Sequence, residues 1–529
     1  MKIHHIPYHK TGYFSNLIND YVTKNEEVSN LYGNYPEIHA FKNQIALKAG
    51  FEQEKREVLA SALVEQYKDF SLSEATQKNI ESLKSKHTFT VTTGHQLNIF
   101  TGPLYFIYKI ISTINLTKKL KKEFPDKHFV PVYWMATEDH DFEEINYFNV
   151  KGTKISWKKA AKGAVGRLKT EQFEAVQQSF FSKLNNSQSA LKLKDLFVKA
   201  YVEHDTLASA TRFLVNELFN RCGLVIVDGD CKQLKTLFKP QIVAELAEQI
   251  SYKHVSETNK KIEDSYKIQV NPREINLFYL KDNLRERIVL ENEKYKVLNS
   301  NIHFSKEAIL EEVEKYPERF SPNVITRPAY QEVILPNLCY IGGGGELAYW
   351  LQLKSYFNAV AIPFPIVLLR NSVLFISEKQ SQKMDKLNIS FEELFLKQEA
   401  LVTKKIKEIS AIKIDFSEQR SLLQTQFNQL KELAKKTDFS FVGAVNAQEK
   451  KQLNGLDKLE KRLLKAQKKK LDDVVERIVV LHNQLFPNGG LEERIRNFSD
   501  YYLEFGEDFL PMLMAVLDPL KMDFTIIEV

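Results

Sequence analysis

The strongest periodic pattern in the chain lies between Thr88 and Phe142, where a β-branched run, a helical repeat and a second apolar run follow one another. Residues 88–93 read as a strand, and Gly94 is expected to break it into a loop. That loop ends at Gly102 and Pro103, a pair suited to opening a helix. Leu104, Ile107, Ile111 and Ile114 recur at three- and four-residue steps. Lys118, Lys119, Lys121 and Lys122 crowd the last turns, where cations suit the negative end of the helix dipole. Residues 129–136 are apolar on both faces, as expected of a parallel strand covered by helices on each side. A right-handed crossover then brings Thr93, Gly94, His95 and Gln96 to the same sheet edge as Thr137, Glu138, Asp139, His140 and Asp141. Open α/β sheets bind their ligands at that edge. Two imidazoles, a carboxamide and three carboxylates gathered there suit binding an amine, a hydroxyl or a metal, or moving a proton.

Around this unit the pattern predicts a helical segment at 1–86 and the first half of a Rossmann-like core at 87–149. An insertion follows at 150–201, where glycines interrupt short β-like pieces. The core continues at 202–250, with a third parallel strand at 224–227 ending in Asp228, Gly229 and Asp230, a stretch that reads nearly as well as a surface turn of the Asp-Gly type. A second insertion at 251–321 reads as a small antiparallel meander. The second core half, 322–390, holds a strand at 338–341, the run Gly342, Gly343, Gly344 and Gly345, and a helix beginning at Glu346. Four glycines let backbone approach a ligand, and free N–H groups at a helix start favour an anion. A ligand amine held by Glu346, or a tight structural turn, reads equally well there. The run is neither GxGxxG nor GxxxxGK[ST], and no glycine fingerprint follows the first strand, which argues against a dehydrogenase. From 391 to 487 the stripes Leu422, Phe427, Leu430, Leu433 and Leu453, Leu456, Leu463, Val474, Ile478, Leu481, Leu485 predict two long helices. A break at 439–443 would fold them back as an antiparallel coiled coil. Residues 488–529 end in a β-like run expected to return to the core.

Composition narrows the class without naming the chemistry. A chain of 529 residues exceeds the size at which one core stops growing, so several lobes are expected. Against 74 basic residues stand 68 acidic ones, and a net charge of +6 is too slight a bias to point to nucleic acid. Cys222, Cys231 and Cys339 are scattered without CxxC spacing, so neither a disulfide framework nor a zinc site is indicated and a reducing cytoplasm fits. No run approaches the roughly 18 apolar residues of a membrane span.

The motifs TTGHQLNIFTGPLYFIYK, VPVYWMATEDHDFEEIN, RPAYQEVILPNLCYIGGGGELAYWLQLK and FVGAVNAQEKKQL together resemble the bacillithiol biosynthesis cysteine-adding enzyme family, the cysteine ligase of that pathway. The resemblance spans nearly the whole chain. It implies a Rossmann-like core of the nucleotidylyltransferase and class I synthetase kind, two connecting insertions, and a coiled coil pairing two subunits. It also implies joining L-cysteine to the amine of glucosaminyl-malate, with ATP as carboxyl activator and Mg2+ accompanying it; no metal site is evident in the chain itself. Thr93, Gly94, His95, Gln96, Glu138, Arg327, Arg370 and Gly342 to Glu346 are then expected to bind nucleotide or substrate, and Asp139, His140 and Asp141 to serve the chemistry. His95 occupies a position resembling the ATP-contacting histidine of class I synthetases, although many family members carry Gln there. Two other classes fit the same residues: a nucleotidylyltransferase acting on another small acid, and a coiled-coil binding protein with a degenerate sheet site.

Overall fold

A computed structural model describes all residues, 1–529. Its centre is a five-stranded sheet whose strands, in chain order, are β1 (Thr88–His95), β2 (His128–Met135), β3 (Val225–Asp228), β4 (Asn337–Gly342) and β5 (Ile366–Leu369). Their spatial order is β5-β4-β1-β2-β3, and every pairing is parallel. The chain runs outward from β1 to β3, then crosses back to start the other half at β4. The strand order therefore reverses between β1 and β4, which is where a Rossmann-like sheet opens a crevice.

Both faces of this sheet are buried, and the side chains sort by a period of two. Phe89, Val91, Ile341, Ile366 and Leu368 share one core with Phe41 and Leu120. Val130, Val132, Tyr340, Val367 and Leu369 belong to the larger core on the opposite face. The buried threonines of β1 are satisfied across the switch point: Thr90 and Thr92 donate to Asn337 Oδ1 (3.2 and 2.8 Å), and Thr93 donates to the Ile341 carbonyl (2.7 Å).

Helix α1 (Tyr105–Glu123) makes the β1–β2 crossover and is buried on nearly every side from Phe106 to Thr117. A helix apolar all round needs two partners. One is the sheet, and the other is the C-terminal helix Phe509–Val516, where Asn115 donates to the Met514 and Leu517 carbonyls (2.9 and 2.7 Å). The loop entering α1 has left-handed Phe100 and Thr101 (φ 48° and 66°) and is pinned by Asn497, which donates to the Phe100 and Gly102 carbonyls (both 2.7 Å). Asn497→Ala leaves two buried carbonyls unpaired, and about 2 kcal/mol of stability should be lost. A chemical-denaturation midpoint matching the wild type would contradict this.

The second insertion is a five-stranded antiparallel sheet, in the order His303–Phe304, Lys294–Val297, Leu284–Glu291, Leu277–Lys281, Phe320–Pro322. It leans over the carboxyl ends of β1 and β2. Beyond β5, helix Ser417–Ala434 packs antiparallel on helix Phe439–Lys470, and Asp472–Leu485 continues the return path. No helix is long and apolar enough to cross a membrane.

Three expectations are corrected. Gly94 does not end β1: Gly94 and His95 stay in register with Trp134 and Met135. Glycine is needed there because the Tyr340 hydroxyl lies 3.2 Å from where a Cβ would sit. The hairpin turns at residues 435–438, because Asp438 caps the next helix by accepting from the Ser440 N–H (2.9 Å), so 439–443 is its first turn. The chain begins with a strand, Lys2–Pro7, and not with a helix. The last strand, Asp523–Glu528, returns to the main core through Phe524, Ile526 and Ile527 as expected, and does so by pairing with that strand and with Val373–Ile376 in a separate three-stranded sheet.

Candidate active site

A cleft of about 620 Å³ opens at the carboxyl ends of β1 and β2, under the inserted antiparallel sheet. Gly94, His95 and Gln96 line it from β1, and Glu138, Asp139, His140 and Asp141 line it from the loop after β2. Arg327 and Glu346 close the third side. Residues scattered over more than 250 positions of sequence thus share one cavity because parallel strands all end at the same edge.

The loop after β2 is ordered by its own polar groups. Asp139 Oδ1 accepts from the His140 N–H (2.7 Å) while its Oδ2 accepts from the Gln96 amide (2.9 Å), and Gln96 also donates to Glu144 (2.8 Å). Asp139 is therefore engaged in holding the loop. Arg285 donates to His140 Nδ1 (2.5 Å); a guanidinium has no lone pair, so Nδ1 accepts and the ring proton sits on Nε2. Glu138 Oε1 accepts from Lys235 Nζ (2.5 Å), a lysine that is itself buried and also donates to the Phe320 carbonyl (2.7 Å). Burial pushes the Glu138 carboxyl up to about 7, partly opposed by Lys235. The second oxygen of Glu138 carries no hydrogen bond within the protein and is not sealed off.

At the switch point stands an ion pair between a buried lysine and a half-buried glutamate. Lys109 reaches from α1 to Glu346 Oε2 (2.7 Å) and donates to the Gly94 carbonyl. Glu346 also accepts from the Tyr340 hydroxyl (2.7 Å) and from the Gly343 N–H (2.8 Å). Burial opposes its charge, but Lys109 and these donors win and hold it below the usual carboxylate range. His95 is packed between Tyr105 and Phe106 (ring centroids 5.4 and 5.0 Å). Burial, with Lys109 and Arg370 nearby, holds its imidazole well below its ordinary value, so it is neutral. Its Nε2 is buried with no partner.

Six of the residues picked from sequence stand elsewhere. Thr93 is buried in the sheet. Gly342 to Gly345 lie behind the cleft wall, none with positive φ; a Cβ at Gly342 would meet Glu346 and Tyr340 at 3.0 Å, so these glycines admit the protein's own side chains. The helix they open, α2 (Gly344–Leu351), has the Glu346 carboxylate on the N–H of its capping residue Gly343, which puts a negative charge where an anion would bind. Arg370 is 4% exposed and donates to Glu493 (2.7 Å) away from the cleft, so it is not placed to hold a substrate carboxylate.

Lining residues that sequence reasoning passed over include Lys109, Tyr340, Tyr349, Arg273, Arg285 and Arg287. Lys109 had a signal, a lone lysine inside YFIYKIIST. Arg285 and Arg287 also had one: they alternate in LRERIVL and so share a strand face.

Two family models cover nearly the whole chain: "Bacillithiol biosynthesis BshC, N-terminal Rossmann-like domain" matches residues 1–371, and the corresponding "C-terminal coiled-coil domain" matches 373–529. Proteins from Flavobacterium johnsoniae (56% identical, 99% of both chains) and Christiangramia forsetii (55%, 99% of this chain and 98% of the relative) are similar from end to end. A Cytophaga hutchinsonii protein is 39% identical over 96% of this chain and 95% of its own. All three carry the name "Putative cysteine ligase BshC". With a parallel five-stranded core, a helical hairpin and matches to both halves, the chain belongs to the BshC family of bacillithiol biosynthesis.

Proposed function

We propose that the protein is a cysteine ligase that joins the carboxyl carbon of L-cysteine to the amine of glucosaminyl-malate, giving bacillithiol. The observation that carries this reading is the convergence of Gln96, Glu138, His140 and Arg327 on one cleft at the ligand edge of the sheet, in a chain whose relatives bear the cysteine ligase name. In the bond-forming step the amine nitrogen attacks an activated cysteine carboxyl. The N–C bond forms, the C–O bond to the activating group breaks, and one amine proton passes to a base. ATP, with its Mg2+, supplies that activating group as an adenylate or an acyl phosphate.

The fit of a nucleotide is uneven. The α2 N-terminus does not suit a phosphate, because the Glu346 carboxylate already sits on the Gly343 N–H and sets a negative charge there. Gly94, His95 and Gln96 suit it better: the unpartnered His95 Nε2 is neutral and able to donate to or accept from a ligand. Glu138 is the base in this scheme, poised near neutral pH with one oxygen free. His140 presents its Nε2–H toward the substrate carbonyl, while Asp139 keeps the loop in shape and the Asp141 carboxylate stands 3.9 Å from that nitrogen.

Incubating purified protein with ATP, L-cysteine and glucosaminyl-malate should give the amide by mass spectrometry, and AMP or ADP identifies the activation route. Nucleotide turnover without amide would return the chain to another small acid as substrate. We further propose a homodimer through the hairpin, where Leu422, Leu430, Leu433, Phe439 and Leu459 remain exposed, and a cytoplasmic location that suits three unpaired cysteines. Light scattering giving a monomer mass at micromolar concentration would remove the dimer.

A further inference from the structure

We infer that the inserted antiparallel sheet carries a dicarboxylate-recognition subsite, formed by Arg273 and Arg287 and faced by Arg327. This deepens the ligase reading, since it names the part of the cleft that selects the amino-sugar substrate by its two carboxylates.

Arg285 and Arg287 are two apart on strand Leu284–Glu291, so both point from one face, the face that lines the cleft with Phe278. Arg273 joins them from the loop before the sheet, and Arg327 stands across from them. None of these four guanidiniums has a carboxylate within 4.0 Å, although the cleft holds four carboxylates. Glu138 is taken by Lys235, Glu346 by Lys109, and Asp139 by its own loop. Arg285 is used internally: it stacks on Phe278 (4.1 Å) and donates to His140 and to Ser321 Oγ (3.1 Å). Arg287 is not. Its Nε is buried and unpartnered, and the same holds for Nη2 of Arg327. Buried charged donors without partners are rare in folded proteins, and two of them on one cavity mark where ligand oxygens complete the set.

Chemistry selects the ligand class. Phosphate sites combine cations with free backbone N–H groups at a helix start, and at the α2 start the Glu346 carboxylate holds the Gly343 N–H and opposes a second anion. Guanidiniums on separate elements, each able to grip a planar carboxylate through two parallel hydrogen bonds, fit two carboxylates a few bonds apart. The subsite sits on the insertion, apart from Glu138, so it should govern binding more than turnover.

Full-length Arg287→Gln should raise the KM for glucosaminyl-malate about 10- to 100-fold, with the KM for cysteine unchanged. Arg287→Lys, which keeps charge but loses the fork, should fall between. Calorimetric titration with L-malate tests the subsite without turnover: wild type binds, Arg287→Gln does not, and inorganic phosphate does not compete. That result supports the subsite even if no amide forms, in which case only the ligase reading fails. Unchanged glucosaminyl-malate KM and malate affinity in Arg287→Gln would overturn the assignment. So would equal binding of phosphate, or no malate binding by wild type at tens of millimolar.

Discussion

Glu138→Gln is expected to lower kcat for amide formation by roughly 10²- to 10⁴-fold, the contribution typical of a positioned general base. The sign of the pH dependence follows from the raised carboxyl. A base works only when deprotonated, so wild-type activity should climb as pH rises through about 7, and this limb should vanish in the variant. The complication is Lys235, which is 0% exposed and would be left with an uncompensated charge. Removing one partner of a buried pair costs about 3–5 kcal/mol, so lost activity alone could reflect lost fold. The double variant Glu138→Gln, Lys235→Met separates the two. If Glu138 is the base, thermal stability returns while kcat stays low; recovered activity would show the pair to be structural and move the proton transfer to another group.

The parts of the fold that were legible are those written in long, redundant patterns. β2 and β5 are apolar at consecutive positions, and only a strand covered on both faces needs that. The ligand edge followed from topology, because parallel strands with crossover helices leave little choice about which ends meet. What failed was local. Gly94 looks like a strand breaker, yet its missing side chain makes room for Tyr340 from a strand more than 240 residues away. Gly342 to Gly345 look like a phosphate loop, yet the space they leave is filled by Glu346, Tyr340 and Phe14. Glycine reports that something approaches closely, and the sequence does not say whether that is a ligand or the protein. Lys109 was hidden for the opposite reason: the helical repeat assigns it to a buried face, and its acidic partner lies 237 positions downstream. The arginines of the insertion were readable as a period-two pair, but their destination depended on how the inserted sheet leans over the core.

Arg370 shows how the same ambiguity is settled by energetics, and Arg370→Met should destabilise the protein by about 3–5 kcal/mol. The side chain leaves the end of β5 and donates to Glu493 Oε1 (2.7 Å), to the Asn371 carbonyl (2.9 Å) and to Ser372 Oγ (3.1 Å), over the ring of Tyr105. Glu493 is 0% exposed, and its other oxygen accepts from the Val373 N–H (3.1 Å). The pair therefore joins the Rossmann-like portion to the C-terminal portion at the point where one gives way to the other. Methionine fills much of the arginine volume but leaves the Glu493 charge in a dry site with one backbone donor. A carboxylate so placed takes up a proton or drags water inward, and either response loosens the seam between the two portions. Glu493→Leu made alongside Arg370→Met removes the stranded charge, and most of the lost stability should return, since buried pairs replaced by apolar groups are often neutral. Denaturant midpoints of the single and double variants test this directly. A single variant with the wild-type midpoint, combined with a raised KM for a carboxylate substrate, would restore Arg370 to the binding site.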